Sequence, residues 1–336
     1  MLNVGVIGCG YWGPNLIRNF TQLSRSEVVR VADLDKSRLE YIRGLYPMLE
    51  TTMDYKDVVQ DSGIDVVAVA TPVHTHYKFA SEALCAQKHT FVEKPIASSA
   101  KQARDLMELA EKYQRKLMVG HTFIYTAAVR KMKEIIDSGE LGDIYYINSQ
   151  RLNLGLFQQD INVIWDLAPH DISIILYILG LKPRAVSAVG TSHINETIED
   201  VAVLTLKFSN GLVAFVQTSW LDPDKVRKMT VVGSRKMMVF DDVQATEKIR
   251  IYDKSVEVPK HYDTFAGFHY SYKYGDILIP KISGDEPLRT ELDHFIDCIQ
   301  NDETPLSCGR DGLHVVQILE AAENSLKNEN KPVLIK

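Results

Sequence analysis

Four short β-branched runs, at residues 4–7, 28–32, 65–70 and 90–92, alternate with amphipathic stretches at 14–23, 36–45, 77–86 and 99–113. Near-continuous apolar strands separated by helices call for a parallel sheet covered on both faces. The first third is therefore predicted to be a doubly wound α/β unit, with residues 116–120 as one further strand.

From about residue 122 the pattern changes. A helix at 127–138 precedes long strands with few helices between them. Residues 200–220 read as two alternating runs joined by Asn210-Gly211, a strong hairpin signal, and 226–240 repeat the form around Gly233-Ser234. A strand at 248–253, helices at 286–301 and 310–328, and an edge strand at 332–335 complete the reading. The second part is expected to be an α+β domain on an open, mostly antiparallel sheet. The domains are placed at 1–121 and 122–336, with the closing helices able to pack back on the first. A chain of 336 residues suits two domains and needs no staples.

Composition narrows the function classes. With 45% hydrophobic and 24% charged residues, the chain is ordinary globular protein, neither a disordered tail nor a coiled coil. Cys9, Cys85, Cys298 and Cys308 form no CxxC pair and have no matching histidine spacing, so neither a zinc site nor a disulfide framework is expected. The 38 basic residues are scattered among 44 acidic ones, for a net charge of −6, which argues against nucleic acid as partner. No run approaches the roughly 18 apolar residues of a membrane span. The chain starts on a strand-like run with no basic segment or cleavage site. A cytoplasmic protein with no membrane partner is expected.

Chemistry enters at Gly8-Cys9-Gly10-Tyr11-Trp12-Gly13, a GxGxxG that follows a strand and opens a helix. Gly8 permits the tight turn, Gly10 removes the Cβ that would block a pyrophosphate, and Gly13 lets helix and strand approach. The helix N-terminus supplies amide donors. The next strand ends at Asp33, twenty residues after Gly13, where a carboxylate can bind both hydroxyls of an adenosine ribose. Asp33 also repels a 2′-phosphate and Leu34 offers no cation, so NAD is expected over NADP, with Arg38 near enough in sequence to keep NADP open. Glu93-Lys94-Pro95 follows the fourth strand, at the carboxyl edge where ligands bind in open α/β sheets. A lysine there can donate or accept a proton. A surface Glu-Lys pair before a proline turn fits the tripeptide as well.

The fingerprint Val6-Ile7-Gly8-Cys9-Gly10, the run Ala70-Thr71-Pro72-Val73-His74-Thr75-His76 and Glu93-Lys94-Pro95-Ile96-Ala97, at these mutual distances, resemble the glucose–fructose oxidoreductase/inositol dehydrogenase/MocA family. The match continues through Ser138-Gly139-Glu140-Leu141-Gly142 and Trp165-Asp166-Leu167-Ala168-Pro169-His170-Asp171 to Glu291-Leu292-Asp293-His294-Phe295, nearly the whole chain. The resemblance implies a Rossmann domain, a second domain on an open sheet and a site between them, with Lys94, Asp166 and His170 as catalytic residues and a cis Lys94-Pro95 bond. Its cofactor set falls on Gly8, Gly10, Tyr11, Trp12, Gly13, Asp33, Thr71, Pro72, His76, Glu93 and Lys94. The residues themselves agree around Asp166. Residues 167–179 have a helical period, and Pro169 fits its first turn if Asp166 is the N-cap, which turns Asp166 and His170 the same way. A capping aspartate beside a packed histidine is the alternative.

Other histidines carry less. His74 and His76 are read as cofactor or domain contacts and not as metal ligands. His121 is placed beside the cleft, and His193, His261, His269, His294 and His314 are assigned to surface or packing. Ser173 stands where many members carry a second aspartate, and 123–127 lack the usual Arg-and-Pro pattern. Both departures weaken a simple inositol dehydrogenase reading.

The expected function is hydride transfer between nicotinamide and a secondary alcohol of a sugar. His170, oriented by Asp166, exchanges the hydroxyl proton while Lys94 bonds the carbonyl oxygen; the roles of the two can be exchanged. The expected substrate is a nucleotide sugar oxidised at C3, or the corresponding ketone, with a UDP-linked amino sugar or uronate ahead of a dTDP-deoxysugar. Arg151, Asn153 and Trp165 are the substrate candidates, joined by the tyrosine-rich segment from Tyr262 to Tyr274. The alternatives are a free inositol or polyol dehydrogenase and a non-catalytic NAD(H)-binding sensor. A homodimer or homotetramer is expected through the sheet face carrying Val201, Val203 and Thr205, which reads as apolar on both sides.

Overall fold

The computed structural model describes residues 1–257, 270–284 and 286–335. The chain divides into two compact units, Met1–Tyr125 with Asp285–Glu320, and Thr126–Gly284 with Ala321–Lys336.

Unit 1 is built on strands β1 (Leu2–Ile7), β2 (Ser26–Ala32), β3 (Glu50–Thr52), β4 (Val66–Val69), β5 (His89–Glu93) and β6 (Leu117–Gly120). Their order is β3-β2-β1-β4-β5-β6, and each pair is parallel. Helices α1 (Gly13–Gln22), α2 (Lys36–Leu45), α3 (Lys56–Val59), α4 (Val73–Cys85) and α5 (Ala100–Lys112) connect the strands. The β-branched runs become strands because both faces are covered: all four residues of β4 are buried. The edge strand β3 is half exposed and too short to show in the sequence pattern. Ser99 caps α5 by accepting from the Gln102 amide, the expected helix start.

Helix α8 (Pro287–Gln300) completes this unit from the far end of the chain. Arg25 on the loop after α1 pairs with Asp293 at 2.5 Å and with Asp297, and Arg18 holds Glu286 at 2.6 Å. Phe295 lies 6.1 Å from Phe91, ring centre to ring centre, and both are fully buried. Burying each such ring stabilises by about 1.5–3 kcal/mol, more than surface ion pairs of up to about 1 kcal/mol, so the apolar face does most to hold α8 in place. A 3-10 turn (Thr122–Tyr125) stays with unit 1, because Thr122 donates to Glu291 of α8 and Tyr125 meets Ser307 at 3.0 Å. The compact unit therefore runs on through Tyr125.

Unit 2 carries helices α6 (Ala127–Asp137) and α7 (Val163–Leu179) and strands β7 (Ile144–Leu152), β8 (Pro183–Thr191), β9 (Val201–Phe208), β10 (Val213–Ser219), β11 (Val226–Gly233), β12 (Met237–Asp241), β13 (Ile249–Glu257), β14 (Ser271–Leu278) and β15 (Val333–Leu334). The order is β14-β13-β12-β11-β7-β10-β9-β8-β15, antiparallel except for the central pair β7 and β10. The Asn210-Gly211 turn joins β9 to β10 with Gly211 at φ +88°, the left-handed conformation that glycine adopts at no steric cost. Along β9, Ala202, Leu204, Leu206 and Phe208 are buried, whereas Val201, Val203, Thr205 and Lys207 are not. The opposite face is mixed and not uniformly apolar: exposed Val189, Val203 and Phe215 share it with Thr205, Gln150 and Gln217. Helix α9 (Gly309–Lys327) runs through the boundary between Glu320 and Ala321.

Candidate functional site

The glycine loop in unit 1 meets its steric requirements one residue at a time. Gly8 has φ +101°, and a Cβ there would lie 2.5 Å from the Ala70 carbonyl oxygen. A Cβ on Gly13 would lie 2.1 Å from the Gly8 carbonyl oxygen, so helix and strand meet only through glycine. Gly10 differs, since the nearest atom to its Cβ position is Arg38 Nη1 at 3.7 Å. Packing within the protein does not demand glycine at 10, whereas a pyrophosphate brought against the backbone would. Helix α1 begins beside it with Pro14 in the first turn and no side-chain cap on its amides, and Tyr11 and Trp12 stand exposed at its mouth in edge contact.

Asp33 receives the Cys9 amide on Oδ2 at 2.6 Å and the Asp35 amide on Oδ1 at 2.8 Å. A carboxylate offers about four acceptor positions, so about two stay open to further donors. Arg38 Nη1 is 3.8 Å from Asp33, and Arg38 Nε is 3.5 Å from Asp35. The ribose end of the cradle thus holds a carboxylate and a guanidinium together. These residues fit a nicotinamide dinucleotide.

Strand β4 delivers Thr71 and Pro72, with Pro72 as N-cap of α4. His76, one turn into α4, is 1% exposed, with Nδ1 2.7 Å from the Pro95 carbonyl oxygen and Nε2 2.7 Å from that of Thr71. A neutral imidazole has one N–H and donates to one of these two carbonyls, and the ring sits between the loop after β4 and the loop after β5. Burial pushes its pKa down, against the pull of the two carbonyls.

Strand β5 ends in Glu93, followed by half-buried Lys94 and a cis Lys94–Pro95 bond. Glu93, expected in the cofactor set, is 6% exposed, and its Oε2 occupies the space that a Cβ on Gly120 would enter at 3.0 Å. The carboxyl points into the unit because β6 places a glycine opposite it. Burial pushes its pKa up to about 7, opposed by Lys94. His121 is buried as well, and burial together with Lys94 pushes its pKa down to about 4.

In unit 2 the helix carrying Asp166 and His170 starts a turn earlier than expected. Asn162 is the N-cap, accepting from the Trp165 amide at 3.2 Å, and the Val163 amide is satisfied by the Glu199 carbonyl at 3.0 Å. Asn162 Nδ2 also donates to Glu199 at 2.9 Å, so a long-range partner decides between two residues that both cap well. Pro169 consequently sits inside the helix, and Asp166 lies in its first turn, not at the cap. The four-residue spacing still turns Asp166 and His170 to one face. Trp220, just past β10, donates its indole N–H to Asp166 Oδ2 at 3.0 Å. Asn153 belongs to the same neighbourhood: a Cβ on Gly155 would meet Trp220 at 3.0 Å and Asn153 at 3.2 Å.

Two substrate candidates have other work. Arg151 is 5% exposed and bonds Asp171 through Nε at 2.5 Å, with Ser149 donating to the same carboxylate at 2.7 Å. The inward side of β7 places it against α7, where a buried cation needs a partner. Trp165 is buried, and its indole donates to Glu323 of α9 at 3.1 Å. Ser173 turns its hydroxyl back to the His170 carbonyl at 2.8 Å. Tyr272 and Tyr274 lie exposed on the edge strand β14, and His261, Tyr262 and His269 lie outside the described residues. His193, assigned to the surface, bonds buried Asp200 at 2.7 Å. Trp220 and Glu291 were missed. A tryptophan whose N–H must find a partner marks the first, and a carboxyl between Leu288 and Phe295 on the buried face of α8 marks the second. Among the described residues, no group of three or more His, Cys, Asp or Glu side chains is placed to hold a metal ion, and no helix is long and apolar enough to cross a membrane.

A glycine cradle, a carboxylate at its ribose end and a lysine at the carboxyl edge of a doubly wound sheet define a dinucleotide-binding α/β protein. The chain belongs to the Gfo/Idh/MocA oxidoreductase family: residues 2–121 match the oxidoreductase family model with NAD-binding Rossmann fold, and residues 129–239 match the GFO/IDH/MocA C-terminal domain. It is 25% identical over 339 residues to the scyllo-inositol 2-dehydrogenase (NAD(+)) of Bacillus subtilis (strain 168), covering 98% of this chain and 93% of the relative. It is 22% identical over 339 residues to the myo-inositol 2-dehydrogenase of Thermotoga maritima, covering 98% and 97%. Among solved structures, the UDP-N-acetylglucosamine 3-dehydrogenase of Acidithiobacillus ferrooxidans superposes with a TM-score of 0.79 at 23% identity, covering 97% of this chain and 99% of that one. The chain is an NAD-binding oxidoreductase.

Proposed function

We propose that the protein transfers hydride between NAD(H) and a secondary alcohol of a sugar. The observation that carries this reading is the Asp166–His170 face of α7, with the Asp166 carboxylate fixed by the Trp220 indole. Bound NAD supplies the hydride acceptor at nicotinamide C4. In the oxidative direction His170 takes the hydroxyl proton, with Asp166 favouring the imidazolium that results, and Lys94 donates a hydrogen bond to the oxygen as it becomes a carbonyl. Reduction reverses both transfers. NAD is preferred over NADP because Asp33 lies at the ribose end of the cradle, with Arg38 reducing the margin.

For the substrate we favour a nucleotide sugar oxidised at C3. Ser173 supports this, since its hydroxyl is spent on its own helix and leaves no second acid there for a free cyclitol. Asn153 beside Trp220 is the remaining candidate for a sugar hydroxyl. A free inositol or polyol is the second reading, favoured by the Arg151–Asp171 pair, which removes the cation expected to meet a pyrophosphate. Formation of NADH across a panel of nucleotide sugars, inositols and free monosaccharides tests both readings. Turnover confined to free polyols overturns the first, and no turnover of any sugar overturns hydride transfer to sugars. We further propose a homodimer or homotetramer through the face carrying Val189, Val203 and Phe215.

A further inference from the structure

Next to Lys94 lies a group of buried polar side chains that the hydride-transfer reading does not use. Glu93 ends β5, His121 follows β6, Thr122 opens the 3-10 turn, and Glu291 reaches them from α8, all within unit 1. Glu291 is 0% exposed, and Thr122 Oγ1 donates to its Oε2 at 2.6 Å. Glu291 Oε1, Glu93 Oε1 and both ring nitrogens of His121 are buried and have no hydrogen-bond partner among the described residues. Four such atoms from three elements are costly to leave unmet, and a buried water bonded to two to four polar groups is the usual remedy.

Charge separates the two carboxyls. Burial drives Glu291 well above the ordinary carboxylate range, the Thr122 hydrogen bond opposes that, and the charge of Glu93 adds to it. For Glu93, burial is opposed by Lys94. Lys94 also bears on His121. Tyr125, on the same turn as Thr122, is held neutral by burial. A proton entering this group is therefore held more firmly by Glu291 than by Glu93, which has the lysine beside it.

We propose that Glu291, fully enclosed with the Thr122 hydroxyl donating to it, holds the proton of this group and, through water shared with Glu93 and His121, leaves the charge that Lys94 faces to Glu93. The importance of the arrangement rests on the reading that Lys94 serves the reaction, but its test does not.

The first measurement is urea unfolding of the full chain and of Glu291→Gln between pH 5 and pH 8. The folded wild type keeps a proton that the unfolded chain, with a carboxyl pKa near 4.3, has released. Its stability must therefore fall relative to the variant as pH rises, by up to about tenfold in the folding equilibrium constant per pH unit. The second is the pH profile of Lys94 labelling by acetic anhydride, read by peptide mass spectrometry. Glu291→Gln should leave the midpoint where it is, whereas Glu93→Gln should move it to lower pH. A stability ratio that is flat with pH overturns the proposal, as does a Lys94 midpoint that falls in Glu291→Gln. Should that variant fail to fold, the infrared spectrum of the wild type at pH 8 decides: a buried carboxylic-acid band is expected, and its absence overturns the proposal. None of these readouts uses substrate or NAD, so failure of the dehydrogenase reading is recognised separately.

Discussion

Trp220 donates its indole N–H to Asp166 Oδ2 at 3.0 Å, so the carboxylate one turn before His170 is held from the end of β10. Trp220→Phe keeps most of the ring and removes the donor. A hydrogen bond to a charged group contributes about 1.5–3 kcal/mol. With turnover in hand, kcat/KM should fall by about 10–100-fold while NADH affinity, measured by fluorescence titration, stays the same. An unchanged kcat/KM would show that Asp166 needs no support from the indole.

Removing the proton-handling groups should act on chemistry and spare cofactor binding. Lys94→Ala or His170→Ala is expected to lower kcat by about 10²–10⁴. NADH titration should give nearly wild-type affinity in both. Full activity in either variant removes that residue from the mechanism.

Cofactor choice should respond in opposite senses to two neighbours. Asp33→Ala is expected to narrow the preference for NAD by about 1.5–3 kcal/mol, one charge-assisted contact. Arg38→Ala should widen it, since Arg38 Nη1 stands 3.8 Å from Asp33 and near the ribose end of the cradle. Paired titrations with NADH and NADPH measure both shifts, and equal affinities of the wild type for the two cofactors would refute the assignment.

Arg151 should reveal itself as a structural residue. Arg151→Ala leaves Asp171 buried without its cation and is expected to cost about 3–5 kcal/mol in urea unfolding. Arg151→Met combined with Asp171→Leu should recover much of that loss. A variant of unchanged stability whose KM alone rises would return Arg151 to substrate binding.

The outer face of the unit 2 sheet should govern assembly. Val203→Asp and Phe215→Glu each place a charge among Val189, Val203 and Phe215. Sedimentation should give a multiple of the 38.0 kDa chain for the wild type and a shift toward monomer for the variants. A wild-type monomer at micromolar concentration counts against the interface.

Much of the fold was legible because period and burial agree. The expected helix at 36–45 coincides with α2, and the Asn210-Gly211 turn appears where an Asn-Gly pair between alternating runs predicts it. At the site, legibility stops where a long-range partner decides. Arg151 reads as a free cation until Asp171, twenty residues on, is seen beside it. Asp166 and Asn162 are both good caps, and Glu199 makes the choice. Glu93 sits beside a lysine in a surface-like tripeptide, yet Gly120 on the next strand opens the space that draws its carboxyl inward. Pairings of this kind depend on which elements meet, and local propensity does not carry that information.

Unit 1 begins the chain but is finished by α8, whose Phe295 covers Phe91. During synthesis the parallel sheet therefore leaves the ribosome long before the helix that seals one side of it, and residues 126–284 of unit 2 must be made in between. A fragment ending at Tyr125 would carry an uncovered apolar face. A faithful isolated nucleotide-binding unit would need residues 286–320 spliced directly onto that end, since no single cut separates the two units.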